Sequence, residues 1–593
     1  QRSANDNAQN QKYTSLDSRI ANTYAKGSKA TSVKALYDAY IKAFRWSTDR
    51  LDPEHGGIIA FISNSGWLDG NSADGFRKTL EKEFTSIWVF NLRGNQRTSG
   101  ELSRKEGGKL FGGGSRTPIA ITLLVKNPAA KNQKAVIHYH DIGDYLSREE
   151  KLDLIKKFGS IASPDMAWQT LSSDEHGDWL RQRNDVFDTF IPLAPEKKFS
   201  LKTQSFFNTY VVGVVTSRDT WVYNFSKKKL SANMTSMIEF YDTQRNLYHK
   251  AVSKNPKLEV ETFIGANPEQ ISWSRALRAD IRNNVVHSFD VTGLRVSSYR
   301  SFCKQNMYFD KDFNEAIGLS PKLFPNPSIE NLVICISGAE GKDYSALITK
   351  YIPDFHFIGD VQAFPLYYYE EQDKESPTLF DFANQTNSDF IRRDGVSDFI
   401  LERAKQQYGK NVTKEDIFYY VYGILHSPEY RTAFSNDLKK MLPRLPLVED
   451  VRDFWKFSKT GRELAELHIN YEEVPAYKGV KVNGDDGKFY AVEKMRFPAK
   501  GQKDTIIYNS KITLSNIPEK AYEYVVNGKS AIEWIMERYQ VTVHAESGIK
   551  NDPNDWAKEV NQPRYILDLL LSVINVSVQT VDLVNGLPKL KFE

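Results

Sequence analysis

The sequence predicts an α/β unit with an incomplete sheet, followed by a mixed α+β region. Three observations carry this reading. Short apolar runs alternate with helical patterns between residues 32 and 150, the character turns β-rich and basic near residue 200, and helical periodicity returns beyond residue 396. A chain of 593 residues is also too long for one core, and length alone predicts about three or four domains.

SVKALYDAYIKAFRW (32–46) sets Val33, Leu36, Tyr40, Ile41 and Phe44 close to helical spacing and predicts an amphipathic helix. GGIIAFIS (56–63) follows two glycines as a short apolar run, the pattern of a buried strand. FRKTLEKEF (76–84) predicts a helix, and SIWVFNL (86–92) and PIAITLLVKN (118–127) predict strands. This alternation implies a parallel or mixed sheet of about three strands, fewer than a doubly wound domain normally has. AVIHYHDIGDYLSREEKLDLI gives a further strand and then a helix from about Ser147.

Past residue 200, VVGVVTSRDTWVYNF is β-rich. Helices are expected near 233–250 and 273–280, and strands near 331–337 and 355–359. FPLYYYEEQDKESPTLFDF reads as a linker excursion. Helices are expected at 396–408 and 414–442, a hairpin around NGDDG, a capping box at Ser530–Glu533, and a late helix with Ile566, Leu569, Leu570 and Val573 on one face.

Hydrophobic residues at 40% and aromatics at 12% mark a folded chain. Two cysteines, Cys303 and Cys335, exclude a disulfide scaffold and a cysteine-built zinc site, which fits a reducing cytoplasm. YILDLLLSVINVSV is interrupted by Asp568 and Asn575 and is expected to be too short to cross a bilayer, so no membrane partner is expected. The net charge of +4 is unevenly spread. Residues 201–310 carry 15 Lys and Arg against 9 Asp and Glu, whereas 361–400 carry 3 against 8. A polyanion would meet the first stretch and avoid the second; a solvated basic face is the alternative.

Several chemistries are missing. GAEGKD (338–343) lacks the GxxxxGK[ST] spacing that wraps phosphates, GGKLFGGGSR lacks GxGxxG, and no HExxH is present. His138 and His140 share one strand face with no third ligand nearby, so no metal site is expected. No nucleophile–base pair can be assembled, and by itself the chain looks like a binding module. Its start has no initiator Met and no signal-peptide pattern, and seven of its first eleven residues are Gln, Asn or Asp. It is either a frayed tail or a chain entered in mid-domain.

Taken together, several stretches resemble the Type ISP restriction–modification enzymes, single polypeptides with a γ-class adenine methyltransferase followed by a target-recognition domain. SANDNAQNQKY resembles the segment after that family's NPPY catalytic loop. GIIAFISNSGWLDG, WVFNLRGNQRTSGE and LFGGGSRTPIAITLLVKN resemble the later methyltransferase strands and loops, and DIGDYLSREEKL the exit from that domain. YVYGILHSPEYRTAFSNDLKKMLPRLP, WKFSKTGRELAELHINYE and SAIEWIMERYQV…SGIKNDPNDW resemble the specificity region.

The resemblance implies an incomplete Rossmann-like methyltransferase sheet over 1–150, a helical connector over 151–200, the DNA-reading part over 201–415 and a C-terminal scaffold over 416–593. NPPY, the S-adenosylmethionine-binding half, a nuclease and a translocase using ATP and Mg2+ would then lie upstream of Gln1, leaving no catalytic residue in this chain. The partners expected are double-stranded DNA and those upstream domains of the same polypeptide, in a prokaryotic cytoplasm.

By position, Phe111 matches the aromatic that γ-class enzymes place against a flipped base; the alternative is a loop Phe filling the core. Gly112 to Gly114 would let backbone approach a ligand. Arg93 and Arg97, with Ser115 and Arg116, can face DNA at the active edge of the sheet, while Trp67 reads as packing. In the basic stretch, Lys227, Lys228, Lys229, Arg275, Arg278, Arg295, Arg300 and Lys304 are the candidate DNA contacts. The competing readings are a sequence-specific DNA-binding module, a phage-defence methyltransferase without nuclease, and a scaffold with no nucleic-acid role.

Overall fold

The computed structural model describes residues 12–30, 32–98, 100–112, 115–132, 134–195, 204–338, 344–372 and 390–592. The opening SANDNAQNQ, Gly113 and Gly114 of the glycine run, and most of the GAEGKD stretch lie outside the described residues. The chain divides into two compact units. One comprises Gln1–Phe187, Glu340–Lys342 and Asn436–Met441; the other comprises Asp188–Ala339, Asp343–Ser435 and Leu442–Glu593.

The first unit is built on a mixed five-stranded sheet: β1 (Gly57–Asn64), β2 (Ser86–Arg93), β3 (Ile119–Lys126), β4 (Val136–Asp141) and β5 (Gln169–Leu171), in the order β1-β3-β2-β4-β5. Only β2 and β4 run parallel; β3 is antiparallel to both β1 and β2. The expected three strands and the further one in AVIHYHDI are β1 to β4; β5 is the addition, because so short a strand carries no apolar run that the sequence would announce. The buried sheet face meets Phe44, Phe76 and Leu80 from the Ala39–Thr48 and Asp74–Glu83 helices. The expected 32–46 helix breaks at Asp38, whose extended backbone separates a 3-10 turn, Lys34–Tyr37, from the α-helix. Ser147 caps the Arg148–Phe158 helix through a full capping box with Glu150, as its spacing predicts.

On the free edge, β1 exposes Ile58 and Ile62, at 65% and 62% of their surface. An eight-residue edge strand with an apolar exposed row is a template for further pairing or covering.

The second unit holds two four-stranded sheets. One orders Ile352–Pro353, Leu294–Arg300, Cys303–Tyr308 and Tyr223–Asn224; the other orders Ala346–Thr349, Val333–Ile336, Gln362–Pro365 and Val211–Val212. The 26-residue Lys227–Val252 helix packs on the first sheet through Leu230, Met234 and Met237. The strand expected at 355–359 is a turn following the Ile352–Pro353 strand.

The helix expected at 414–442 is broken. Lys414–Ile424 ends before His426, and Ser427 caps a separate Pro428–Ala433 helix, since proline starts helices more readily than it continues them. Lys414–Ile424 lies against Val451–Ile469 at very short range: a Cβ on Gly461 would sit 1.9 Å from the Tyr419 carbonyl oxygen, and one on Gly423 2.4 Å from that of Phe457. These two glycines are what allow the helices to touch.

The expected NGDDG hairpin does not form. Lys481–Asn483 instead pairs with distant Thr513–Ser515. The late helix runs Tyr565–Asn585, 21 residues, long and apolar enough by composition to cross a membrane, contrary to the length expected from sequence. Its apolar residues, Ile566, Leu570, Val573 and Ile574 among them, are buried in the second unit's core.

Candidate nucleic-acid interface

In the first unit, the loops that follow β1 and β2 and the end of β4 enclose a polar cleft of about 700 Å³, at the strand ends where open α/β sheets place their ligands. Asn91, Arg93 and Asn95 line it, along with the Ser65–Ser72 loop, Asp141, Arg181 and Lys440. A bulge in the β2–β3 pairing between Asn91 and Arg93 places Arg93 at φ +55°, a left-handed conformation uncommon for a residue with a side chain. The bulge aims its guanidinium at Asp141 (2.7 Å) and Asp144. Asn91 donates to the Tyr139 hydroxyl (2.9 Å), which donates to Asp141 (2.9 Å). Burial lowers the Arg93 pKa, but the two carboxylates more than reverse this.

The β1 loop is held from beneath by Arg77, which is wholly buried. It donates to the carbonyls of Gly177 (2.6 Å), Trp67 (2.8 Å) and Gly70 (2.8 Å) and to Asp178 (2.8 Å). Asp178 also meets Lys440 (2.9 Å) and Arg183 (3.1 Å). Burial drives the Asp178 carboxyl up, yet these three cations hold it below the usual carboxylate range. The neighbouring Asp69 goes the other way: burial raises it despite Arg181 and Lys440. None of Arg77, Asp178, Lys440 or Arg181 was marked by the sequence, because no local pattern distinguishes an arginine that will be buried. Trp67 is packed between Phe44, Phe76 and Trp179.

A second cleft of about 330 Å³ lies beside β1. Phe111, 53% exposed, lines it with Tyr40, Phe61, Asn64, Ser115 and Thr117. Ser115 and Thr117 share a hydrogen bond of 3.2 Å. Arg116 turns back to donate to the Gln96 carbonyl (2.7 Å), whereas Arg97 makes no side-chain hydrogen bond or ion pair among the described residues. Phe111 thus belongs to no buried cluster and presents its ring at a cleft.

In the second unit the eight candidate cations separate into two groups. Arg300, its side chain 11% exposed, is bound to Asp354 (2.7 Å) and Asp219 (3.1 Å). Burial pushes the Asp354 carboxyl up to about 6 even so. Lys304 is ion-paired with Glu472, and Arg295 donates to the carbonyls of Asn326 and Phe324. These three hold the fold together. Lys229 pairs with Asp555 (2.6 Å). Glu559 caps the Lys227–Val252 helix, accepting from the backbone of Lys227 (2.9 Å) and Lys228 (3.4 Å), so that helix end is already occupied by a carboxylate. The side chains of Lys227, Lys228 and Arg275 are exposed and Arg278 is half-exposed, all without an ion-pair partner among the described residues.

His138 stacks on Trp88 at 3.7 Å, and His140 bonds the Ala167 carbonyl (3.0 Å). His426 and His468 are buried in the second unit, where Tyr422 bridges them through its carbonyl (2.8 Å to His426) and its hydroxyl (2.6 Å to His468).

The family model of the Type ISP C-terminal specificity domain matches residues 205–569. Solved structures similar to this chain include three bound to DNA or a DNA mimic. The first is a nuclease-deletion mutant of the Type ISP restriction-modification enzyme LlaGI in complex with a DNA substrate mimic: 40% identity, 98% of this chain and 51% of that chain, TM-score 0.84. The second is the ATP-dependent Type ISP restriction-modification enzyme LlaBIII bound to DNA: 35% identity, 100% and 36%, TM-score 0.86. The third is a DrdV–DNA complex: 29% identity, 100% and 56%, TM-score 0.81. This chain therefore spans between 36% and 56% of the length of those chains. No curated protein matches the sequence.

Proposed function

Because the chain belongs to the Type ISP restriction–modification enzymes and carries their C-terminal specificity domain, we propose that it is the part of such an enzyme that reads double-stranded DNA and receives the target adenine. In this reading the second unit recognises the sequence. The first unit is the C-terminal half of a Rossmann-like adenine-N6 methyltransferase. The similarity over 98% of the chain to a structure holding a DNA substrate mimic is the observation that carries the reading. The sheet order β1-β3-β2-β4-β5 and the exposed apolar row on β1 support it, since a further half-sheet would cover that edge.

An adenine inside a stacked duplex is out of reach of a methyl donor, so it must be extruded, at a cost of a few kcal/mol. Phe111 offers a ring face to the extruded base, and Asn64 and Ser115 offer hydrogen-bonding groups at the same cleft. Arg97 in the first unit and Lys227, Lys228, Arg275 and Arg278 in the second form no ion pair among the described residues and are the cations offered to phosphates.

S-adenosylmethionine would supply the methyl group. The described residues do not make its site: no carboxylate lines the Phe111 cleft to take ribose hydroxyls, and Asp69, Asp141 and Asp144 of the larger cleft are already paired with Arg181 and Arg93. We therefore assign that cofactor, and the ATP and Mg2+ of a translocase and nuclease, to other domains of the same polypeptide. Methyl transfer to adenine N6 should appear when the upstream methyltransferase half is supplied on the same chain. Tight, specific binding without methylation under that condition would favour a stand-alone recognition module.

A further inference from the structure

We propose that the loop Asn283–Val286 enters the DNA major groove and that Val286 reads a thymine through its methyl group; this rests on the reading of the second unit as the DNA reader. Val286 is 65% exposed, and its neighbours Val285 and Val291 are 38% and 64% exposed. Single exposed valines are ordinary on protein surfaces. What distinguishes these is that the loop is fixed from within and cannot fold them inward.

The loop closes the Arg275–Arg282 helix with a complete Schellman turn. Asn284 takes φ +57° and its N–H bonds the Ile281 carbonyl (3.1 Å), while the Val285 N–H bonds that of Asp280 (2.9 Å). Three side chains of the long Lys227–Val252 helix then clamp it. The Tyr241 hydroxyl donates to the Val285 carbonyl (2.9 Å), His249 meets the Ile281 carbonyl (2.7 Å), and Arg245 donates to the Asn284 side chain. A glycine would satisfy the turn but not the Arg245 clamp, which accounts for asparagine at this left-handed position. Beyond the valines, His287 is buried between Asp280 (3.2 Å) and Asp312 (3.5 Å), its ring against Tyr241 and Phe313.

Carboxylates of Asp280 and Asp312 flank His287 on one side of this knuckle, and arginines line the adjoining helix. Leu277 and Ile281 face inward, so Arg275, Arg278 and Arg282 share the outer side of the helix at i, i+3 and i+7. Arg282 is tied to Glu261 (2.6 Å), which Arg278 faces at longer range, and Asp280 faces His287, so among the described residues Arg275 and Arg278 form no ion pair. A rigid apolar tip beside unpaired arginines fits a groove floor with phosphates at its rim. In the major groove the apolar feature that identifies a base is the thymine C5-methyl.

The test uses the full chain and duplexes that the wild-type protein enriches from a randomised library, in which each thymine is replaced in turn by deoxyuridine, removing only the methyl. One replacement should weaken wild-type binding about fourfold, the worth of one buried methyl. Val286→Ala should bind the thymine and uracil duplexes equally, with an unchanged thermal midpoint. If every uracil penalty is the same for wild type and Val286→Ala, the knuckle does not read thymine. If the wild type enriches no motif at all, the DNA reading of the second unit fails instead, and the loop proposal with it.

Discussion

Replacing Arg77 by methionine should unfold the floor of the polar cleft. The substitution keeps the apolar stem but removes four hydrogen bonds, two of them to the buried carbonyls of Gly177 and Trp67 and one to the part-buried carbonyl of Gly70. Asp178 keeps Lys440 and Arg183, so its carboxylate is not left alone. The cost therefore falls at the lower end of the range for breaking a buried ion pair, about 3 kcal/mol. For a unit of this size each kcal/mol moves the melting temperature by roughly 2–4 °C, giving a fall of about 6–12 °C. Trp67 and Trp179 are in edge contact at 5.4 Å within the same cluster, so tryptophan fluorescence follows this region directly. Arg104→Ala, which breaks only the exposed pair with Glu101, should leave the midpoint in place. A midpoint for Arg77→Met within about 2 °C of wild type would refute the assignment of Arg77 as the anchor of the β1 loop.

Other outcomes follow from the same contacts. Phe111→Ala should leave stability unchanged, because half of the ring is already in water, yet weaken the extruded state by about 1–3 kcal/mol, the worth of one base–aromatic stack. A 2-aminopurine at the target position should then lose its fluorescence rise in the complex of the complete methyltransferase, and an unaltered rise would remove Phe111 from the site. Lys227→Gln and Lys228→Gln should each flatten the dependence of log K on log salt by about 0.9, whereas Arg300→Gln should lower thermal stability; a reversed pattern would mean that burial does not sort these cations. Burial pushes His426 down to about 4 and holds His468 well below its ordinary value, so both are neutral in the fold. The unfolded chain takes up protons near 6.5, so stability is complete above that pH and is lost as pH falls toward about 4, where His426 alone costs on the order of 3 kcal/mol. Equal urea midpoints at pH 7.5 and pH 5 would show that these histidines are not buried neutral.

How much of this the sequence displays depends on how local its cause is. The strands GGIIAFIS, SIWVFNL and PIAITLLVKN are visible because an apolar run flanked by glycine or polar turns marks extended structure, but the burial expected of GGIIAFIS does not hold, since it lies at the sheet edge with Ile58 and Ile62 exposed. The Ser147 and Ser530 capping boxes are visible because the spacing itself is the contact. NGDDG misled because its flanking residues pair with strands some thirty residues further on, and nothing near the turn reports this. Arg300 and Lys228 read alike in sequence; the first meets Asp354 and Asp219 from distant segments and the second meets solvent. Similarly, Asn436–Met441 belongs to the first unit although its neighbours in sequence belong to the second, since Lys440 is drawn to Asp178 and to the carbonyls of Leu180 and Arg181. The family signatures around His426 and Gly461 were legible as resemblance, but their physical content, a buried histidine pair and a helix crossing that admits only glycine, required the fold.

The central claim, that this chain reads a DNA sequence, is tested most directly by selecting duplexes from a randomised library with the purified chain at two salt concentrations. The account predicts one short, asymmetric motif containing an adenine, bound less tightly as salt rises because phosphate contacts release counterions. Salt-sensitive binding with no enriched motif, or no binding by a folded chain, would contradict it.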